Sequence, residues 1–204
     1  MNNNLPDSYR KAIQSRTTWH YYKGWLIRGW TNLKYAFARR VARRNGATIG
    51  EAVVMSLSLA RKANQNLIVG SHVCIQTDKL DVRNPVRIGS YVIIGADSEI
   101  LTTSHNIDSA AFEQKDYGIT IEDYVWIAGK VTILPSCRHI GLGAVVSTGS
   151  VVVRDVEAMS VVGGNPAKEF KKRKTLHKDL VVESLLGGDF DAYREARKKI
   201  INDH

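Results

Sequence analysis

Residues 88–105 read IGSYVI-IGADSE-ILTTSH, residues 121–138 read IEDYVW-IAGKVT-ILPSCR, and residues 140–157 read IGLGAV-VSTGSV-VVRDVE. Each of these hexapeptides opens on Ile or Val, and Gly is frequent in second place. An amphipathic helix would repeat its apolar residues with a period near 3.6, and a half-buried strand with a period near 2. A period of six is instead typical of a triangular coil, in which each side is a short strand followed by a tight turn. The opening aliphatic residues are then expected to point inward and to stack from coil to coil.

The repeat divides the chain. Rougher coils precede it, at 47–60 and 67–75, and one polar loop interrupts it at 106–120, directly after His105. Long loops on a regular scaffold are frequently functional. We therefore predict a mainly β chain with three parts: a basic N-terminal helical segment at 1–46, a parallel β-helix catalytic domain at 47–170, and a C-terminal helical segment at 171–204.

Composition narrows the class of protein. Hydrophobic residues make up 44% and charged residues 24% of the 204 residues, as in an ordinary globular protein. The chain has no apolar run of about 18 residues, and its N-terminus has no apolar stretch typical of a secretory signal. Cys74 and Cys137 lie inside apolar repeats, where we expect them to be buried and reduced. These features predict a cytoplasmic protein, free or peripheral to a membrane.

The net charge of +9 belongs to one segment. Residues 1–46 contain ten Lys or Arg and one acid, Asp7, whereas the rest of the chain is balanced. Within this segment, residues 24–45 place Leu26, Trp30, Leu33, Phe37 and Val41 at helical spacing. We expect this apolar face to cap the open end of the β-helix. Contact of the basic, aromatic helix with an anionic membrane is the alternative, and no recognised module supports nucleic acid binding.

The segment LTTSHNID (101–108), with ITIEDYVWIAGKVTILPSC (119–137) after the loop, closely resembles the sugar O-acetyltransferases of the hexapeptide-repeat family. These are the galactoside, maltose and nodulation-type enzymes and the capsule or O-antigen acetyltransferases. The resemblance covers residues 86–170. It implies a left-handed parallel β-helix, acetyl-CoA as acyl donor, and a homotrimer with its sites between subunits. Polysaccharide biosynthesis is the process that it suggests.

His105 is the predicted catalytic base. It ends a hexapeptide and begins the loop, and a neutral imidazole can take a proton from a hydroxyl near neutral pH. The resemblance gives it the same role. A zinc site is not expected, because His72, His105 and His139 are widely spaced and zinc needs three or four convergent ligands.

The resemblance also implies a groove for acetyl-CoA along successive coils. Two departures from the family pattern, Ala128 and the pair Ser147-Thr148, add bulk along this groove. Basic side chains near the end of the repeat would favour the phosphates of CoA. The predicted acetyl-CoA-binding residues are Trp126, Ala128, Gly129, Ser147, Thr148, Arg154, Asn165, Pro166, Lys168 and Arg173.

The sequence says less about the acceptor of the acetyl group than about its donor. Asn84 lies in an earlier excursion of the repeat, and Asp108, three residues after His105, would orient it or bind a hydroxyl. We predict transfer of acetyl to a hydroxyl of a saccharide or sugar nucleotide. Two alternatives stay open: an N-acetyltransferase for an amino sugar or serine, and a non-catalytic β-helix binding protein.

Overall fold

A computed structural model describes residues 5–198, in which short strands form the central coil and helices flank it. In chain order the strands are β1 (Thr48–Ile49), β2 (Leu67–Val69), β3 (Cys74–Ile75), β4 (Lys79–Leu80), β5 (Val86–Ile88), β6 (Ile93–Ile94), β7 (Glu99–Ile100), β8 (Thr103–His105), β9 (Gln114–Asp116), β10 (Ile119–Ile121), β11 (Trp126–Ile127), β12 (Thr132–Ile133), β13 (His139–Ile140), β14 (Val145–Val146), β15 (Val151–Val152), β16 (Ser160–Gly164) and β17 (Ala167–Lys172).

Three parallel sheets form the faces of a triangular coil. The first face is β1-β2-β5-β10-β13, the second is β3-β6-β11-β14-β16, and the third is β4-β7-β12-β15. From β2 to β15, apart from β8 and β9, successive strands lie in successive faces, so each of these turns of the coil visits all three. β17 extends the second face but runs antiparallel to β16. The predicted left-handed parallel β-helix is confirmed.

The aliphatic residues that open the hexapeptides stack in columns inside the coil. On the second face the parallel register aligns Ile75, Ile94, Ile127, Val146 and Val162, all of them buried. Complete burial of such a side chain contributes roughly 1.5–3 kcal/mol. These columns together form one continuous core of aliphatic side chains.

The two cysteines belong to the packed interior, as expected. Cys74 and Cys137 are both buried and free. Burial raises the pKa of Cys74 to about 11 and the pKa of Cys137 to about 12. Both therefore remain protonated thiols near neutral pH, which makes them weak nucleophiles.

The faces meet at three corners. The first corner joins the first face to the second. The second corner joins the second face to the third at residues 95–98, 128–131 and 147–150. The third corner joins the third face to the first at residues 81–85, 101–118, 134–138 and 153–155. At the second corner the coils approach closely: a Cβ on Gly95 would lie 2.6 Å from backbone atoms of Ala128 and Gly129. Glycine is required at such a position.

Helices flank the coil. They are α1 (Asp7–Gln14), α2 (Thr18–Arg44), α3 (Leu57–Lys62), a 3₁₀ helix (Val182–Leu186) and α4 (Phe190–Arg197). The helix predicted at 24–45 begins earlier, at Thr18, because Thr17 caps it: the Thr17 side chain accepts a hydrogen bond from the amide of His20. Within residues 5–198, no helix combines the length and the apolarity that a bilayer-crossing segment needs.

The C-terminal end of α2 covers the first coil. Ala38 and Ala42 are buried in the same core as Ile49 and Val53. The expectation is wrong for Leu26, Trp30, Leu33 and Phe37, which are exposed, whereas Val41 packs against this core as expected. The reason is that α2 packs through its small residues, which allow a closer approach of the helix to the rest of the fold.

The predicted C-terminal helical segment is helical in its second half only, where the 3₁₀ helix and α4 are separated at Gly187 and Gly188. β17 continues to Lys172, and residues 173–181 are irregular and run back across the coil before the 3₁₀ helix. α4 then packs on α1 and α2, where Tyr193 stacks on Tyr21 with ring centroids 5.1 Å apart. Residues 1–4 and 199–204 of the two predicted terminal segments lie outside the described residues.

Candidate active site

His105 lies on a β-hairpin at the third corner. The predicted polar loop is this hairpin: β8 and β9 pair antiparallel, with His105 opposite Gln114. The chain leaves the coil after β7 and rejoins the first face at β10. His105 is exposed, so its imidazole is accessible to a substrate.

One nitrogen of the imidazole is held by the protein. Nδ1 of His105 lies 2.9 Å from the carbonyl oxygen of Phe112, and the two rings stack with centroids 4.5 Å apart. A carbonyl oxygen only accepts hydrogen bonds, so Nδ1 is the donor and carries the proton. Nε2 of the neutral ring therefore has the lone pair that a base requires.

Hydrogen bonds hold the hairpin to the coil. Asn84 donates to the carbonyl of Thr102 and to a carboxylate oxygen of Asp116, both at 3.1 Å. Hydrogen bonds from Gln114 and Asn84 lower the pKa of Asp116. Asn84, a predicted acceptor-binding residue, thus has its amide directed to the base of the hairpin.

Asp81 is a second anchor of the hairpin. Its carboxylate accepts hydrogen bonds from Arg83 and from the amide of Thr102. Burial opposes ionisation, but these hydrogen bonds hold the pKa of Asp81 well below its usual range. The carboxylate is therefore charged, and it fixes the strand that leads to His105.

Asp108 does not orient His105, contrary to one of the two roles considered for it. The Nδ1 position is taken by the carbonyl of Phe112, and Asp108 lies in the exposed turn of the hairpin. Phe112 was missed by sequence reasoning. Its role comes from a backbone carbonyl, which leaves no mark in the residue pattern.

A groove of about 570 Å³ runs along the second face and second corner. Five of the predicted acetyl-CoA-binding residues line it. The groove floor is made of small residues that expose the backbone to a thin ligand, and Trp126 is an exposed wall. The predicted residues in its lining are Trp126, Ala128, Gly129, Thr148 and Arg173.

The C-terminal segment forms the opposite wall of the groove. His177, Leu180 and Leu185 line it, together with Gln76 on the coil. Nε2 of His177 lies 2.8 Å from the carbonyl oxygen of Tyr91. Burial lowers the pKa of His177, so the ring is neutral at neutral pH. These residues lie outside the hexapeptide pattern, which is why sequence reasoning missed them.

Arg173 lines the groove, and its guanidinium also bonds to the protein itself. Its guanidinium donates to the carbonyl oxygens of Tyr124 and Gly143, both at 3.1 Å, and to that of Thr175 at 2.6 Å. It also lies 2.8 Å from Nδ1 of His177. These contacts tie the C-terminal segment to the coil and engage four of the five N–H donors of the guanidinium.

Arg154 and Lys168 line a separate cavity of about 250 Å³ at the last coil. Asp155, Glu157 and Glu169 share this cavity, so its charge is mixed rather than purely basic. A phosphate there would compete with carboxylates for the two cations.

The remaining predicted residues lie at the far end of the second corner. The amide of Ser147 donates to the carbonyl of Val162, and Asn165 and Pro166 form the turn between β16 and β17. Gly164, just before this turn, donates from its amide to Ser150 Oγ at 3.2 Å. The second corner thus continues from the groove to this turn.

His105 and the groove occupy different corners of one chain. His105 belongs to the third corner, whereas the groove follows the second. Two other histidines contact carboxylates. Nδ1 of His72 lies 3.2 Å from Oε1 of Glu183, and Nε2 of His139 lies 2.9 Å from Oε1 of Glu122. Among residues 5–198, no group of three His, Cys, Asp or Glu is placed to hold a metal ion.

Comparison with known proteins identifies the family. No family model matches the chain. The putative colanic acid biosynthesis acetyltransferase WcaF of Escherichia coli K12 is 30% identical over 173 residues, which cover 83% of this chain and 93% of WcaF. The chain belongs to the hexapeptide-repeat acetyltransferase family. The resemblance seen in the sequence is thereby confirmed.

Other acetyltransferases match over shorter stretches. A chloramphenicol acetyltransferase of Klebsiella aerogenes is 45% identical over 62 residues, which cover 30% of this chain and 29% of the relative. The putative acetyltransferase YJL218W of Saccharomyces cerevisiae is 37% identical over 115 residues, covering 54% and 52%. The chain thus spans about half or less of the length of these relatives.

A solved structure shares the fold. The hexapeptide-repeat acetyltransferase VCA0836 of Vibrio cholerae matches with a TM-score of 0.51 and 24% identity, covering 81% of this chain and 93% of that one. At this identity the likeness concerns the β-helix, and residue roles do not follow from it.

Proposed function

We propose that this protein transfers the acetyl group of acetyl-CoA to a hydroxyl of a saccharide. The observation that carries the proposal is the state of His105, an accessible imidazole whose Nδ1 donates to Phe112 and whose Nε2 is left as a base. The similarity to WcaF, a putative colanic acid biosynthesis acetyltransferase, supports a polysaccharide or one of its precursors as the acceptor.

The groove on the second corner suits the acyl donor. Gly129 and Ala128 bring backbone within reach of the narrow pantetheine arm, and the lining is predominantly apolar. Acetyl-CoA supplies an acetyl thioester whose carbonyl carbon is open to attack. Trp126 and Leu185 would exclude water from that carbonyl.

His105 acts twice in the proposed reaction. Its Nε2 accepts the proton of the acceptor hydroxyl while that oxygen attacks the thioester carbonyl. As the C–S bond breaks, the same nitrogen returns the proton to the departing sulfur. The products are the acetyl ester and CoA with a free thiol, and the carbonyl of Phe112 stabilises the imidazolium formed in between.

A homotrimer is part of this proposal. One chain places its base at the third corner and its groove at the second, so the reacting groups meet when the third corner of one subunit faces the second corner of another. The site is then shared between neighbouring subunits.

A thiol-release assay tests the function. The wild-type protein is incubated with acetyl-CoA and a panel of sugars, nucleotide sugars and oligosaccharides, with amino sugars and serine as the N-acetyl arm. We expect His105→Gln to lower turnover by about a hundred- to ten-thousandfold. CoA binding, measured by calorimetry, is expected to stay unchanged.

His20→Gln is the matched control, because His20 is an exposed histidine on α2, far along the chain from the hairpin. Turnover close to the wild-type value is expected for it. Acetyl-CoA binding without turnover on any acceptor, or equal turnover by His105→Gln, would contradict the proposed role.

A further inference from the structure

The outward face of α2 carries a continuous apolar stripe. Trp19, Leu26, Trp30, Leu33 and Phe37 follow at intervals of seven, four, three and four residues, which places them on one side of the helix. Their side chains are between 57% and 73% exposed. At 1.5 Å per residue the stripe is about 27 Å long. A single exposed apolar residue is ordinary, but a contiguous row of this length indicates a binding surface.

Cations border the stripe. α2 contains no Asp or Glu. Three of its exposed Lys and Arg residues lie on the sides of the apolar row, and Arg44 continues the row beyond Phe37. The ammonium group of Lys34 lies 5.7 Å from the ring centroid of Trp30. The cations on the sides are Lys23, Lys34 and Arg40. Arg43 is exposed as well, but its guanidinium donates to the carbonyls of Ile49 and Gly50. The surface is therefore apolar along its axis and positive along its edges.

The opposite side of α2 is occupied by the protein itself. Arg28 pairs with Asp189 at 2.9 Å, Arg39 donates to the carbonyl of Val53 at 3.0 Å, and Ala38 packs in the core. The packing direction of the helix is thus fixed. Within residues 5–198, no element covers the stripe.

We propose that α2 docks through this stripe on the surface of an anionic lipid bilayer. An amphipathic helix of this composition lies in the plane of the interface, with its apolar face at the boundary between headgroups and acyl chains. Trp side chains favour that boundary, and Lys and Arg are attracted to anionic headgroups. All three features occur on this one face of α2.

Charge argues against a second copy of the chain as the occupant. Two stripes packed against each other would bring their Lys and Arg borders together, and α2 has no carboxylate to compensate them. Juxtaposed like charges oppose association. A bilayer of negative headgroups supplies the complementary charge.

Vesicle co-flotation of the full chain tests the proposal. Vesicles of phosphatidylcholine, with and without phosphatidylglycerol, are mixed with the protein at an ionic strength of about 0.15 M. We expect binding to the phosphatidylglycerol vesicles alone, with an affinity that falls as salt is added. Trp30→Gln/Leu33→Gln and Lys23→Glu/Lys34→Glu are each expected to lower the affinity at least about tenfold.

The matched controls carry the same types of substitution at exposed positions outside α2. Phe170→Gln removes an exposed apolar side chain from β17, and Lys79→Glu/Lys171→Glu reverses two exposed charges on the coil. Both are expected to bind vesicles as the wild type does. Because these positions are exposed, folding is checked by equal melting temperatures.

Three results would overturn the proposal: no binding of the wild type to anionic vesicles, equal loss in the controls, or self-association through the stripe. The last is measured without lipid by sedimentation velocity, where Trp30→Gln/Leu33→Gln would change the oligomeric state. Vesicle binding does not depend on acetyl transfer, so failure of the enzymatic proposal leaves this test intact.

Discussion

At the scale of the residue, the contact between His105 and Phe112 shows how the hairpin fixes the tautomer and orientation of the proposed base. The backbone carbonyl of Phe112 fixes which nitrogen carries the proton, and the stacked ring limits rotation of the imidazole. The position of His105 at a break in the hexapeptides is visible in the sequence. Its partner is not, because pairing of β8 with β9 brings Phe112 to it.

A second histidine contact is sensitive to pH. The hydrogen bond to Glu183 raises the pKa of His72 above its ordinary value, while burial opposes the shift. A raised pKa means that the contact stabilises the fold below the ordinary pKa of histidine and loses this contribution as pH rises through the raised value. Glu183→Gln should therefore cost more stability near pH 5.5 than near pH 8.5.

The expected difference is about 1 kcal/mol or less, because the side chain of His72 is 38% exposed and solvent screens the pair. Thermal unfolding of Glu183→Gln and wild type at the two pH values measures it. Glu99→Gln, on the third face, serves as the control. The same loss of stability at both pH values would show that the contact is not ionic.

At the scale of the element, two glycines of the second corner are under different constraints. A Cβ on Gly95 would meet backbone of the next coil at 2.6 Å, whereas a Cβ on Gly149 would have nothing within 4 Å. Gly149 instead has a φ of +71°, in the left-handed region. Steric crowding therefore disfavours a side chain at Gly95, and backbone strain disfavours one at Gly149.

We expect Gly95→Ala to lower the free energy of unfolding by about 1–3 kcal/mol, since backbone has to move. Gly149→Ala should cost about 1 kcal/mol, and Gly149→Asn less, because Asn tolerates the left-handed region. Denaturant midpoints measure the three values. A smaller loss for Gly95→Ala than for Gly149→Ala would contradict the close approach of the coils.

The elements also show what the sequence could and could not predict. Aliphatic residues such as Ile94 and Ile127 open their hexapeptides, so the period alone predicts their stacking. Leu180 and Leu185 follow no such period, and their place against the groove depends on how the C-terminal segment crosses the coil. The apolar stripe of α2 led to the wrong prediction that this face caps the coil, because apolar periodicity does not show which side of a helix meets the core.

At the scale of the whole molecule, the proposed sharing of sites between subunits allows a complementation test. His105→Gln lacks the base but keeps the groove, and Thr148→Trp keeps the base but fills the groove with a larger side chain. Each variant alone is expected to be inactive. Co-expressed with different tags and purified through both, the mixed trimers should regain turnover.

The recovery is expected because a trimer of both chains contains an interface with an intact base and an intact groove. Two copies of His105→Gln carrying different tags are the control, and they should stay inactive. A single-chain site would give no recovery in the mixed sample, which would rule out the shared arrangement.

The two ends of the coil are closed in different ways. Parallel coils present unpaired backbone at each end, and such an edge can template strands of another molecule into a growing fibre. At the first coil α2 lies across the edge, and at the last coil β17 reverses direction and exposes Lys168, Glu169, Lys171 and Lys172. At the second face, the reversed strand and its charges oppose the addition of a further parallel strand from another molecule, which hinders amyloid-like polymerisation along the axis of the coil.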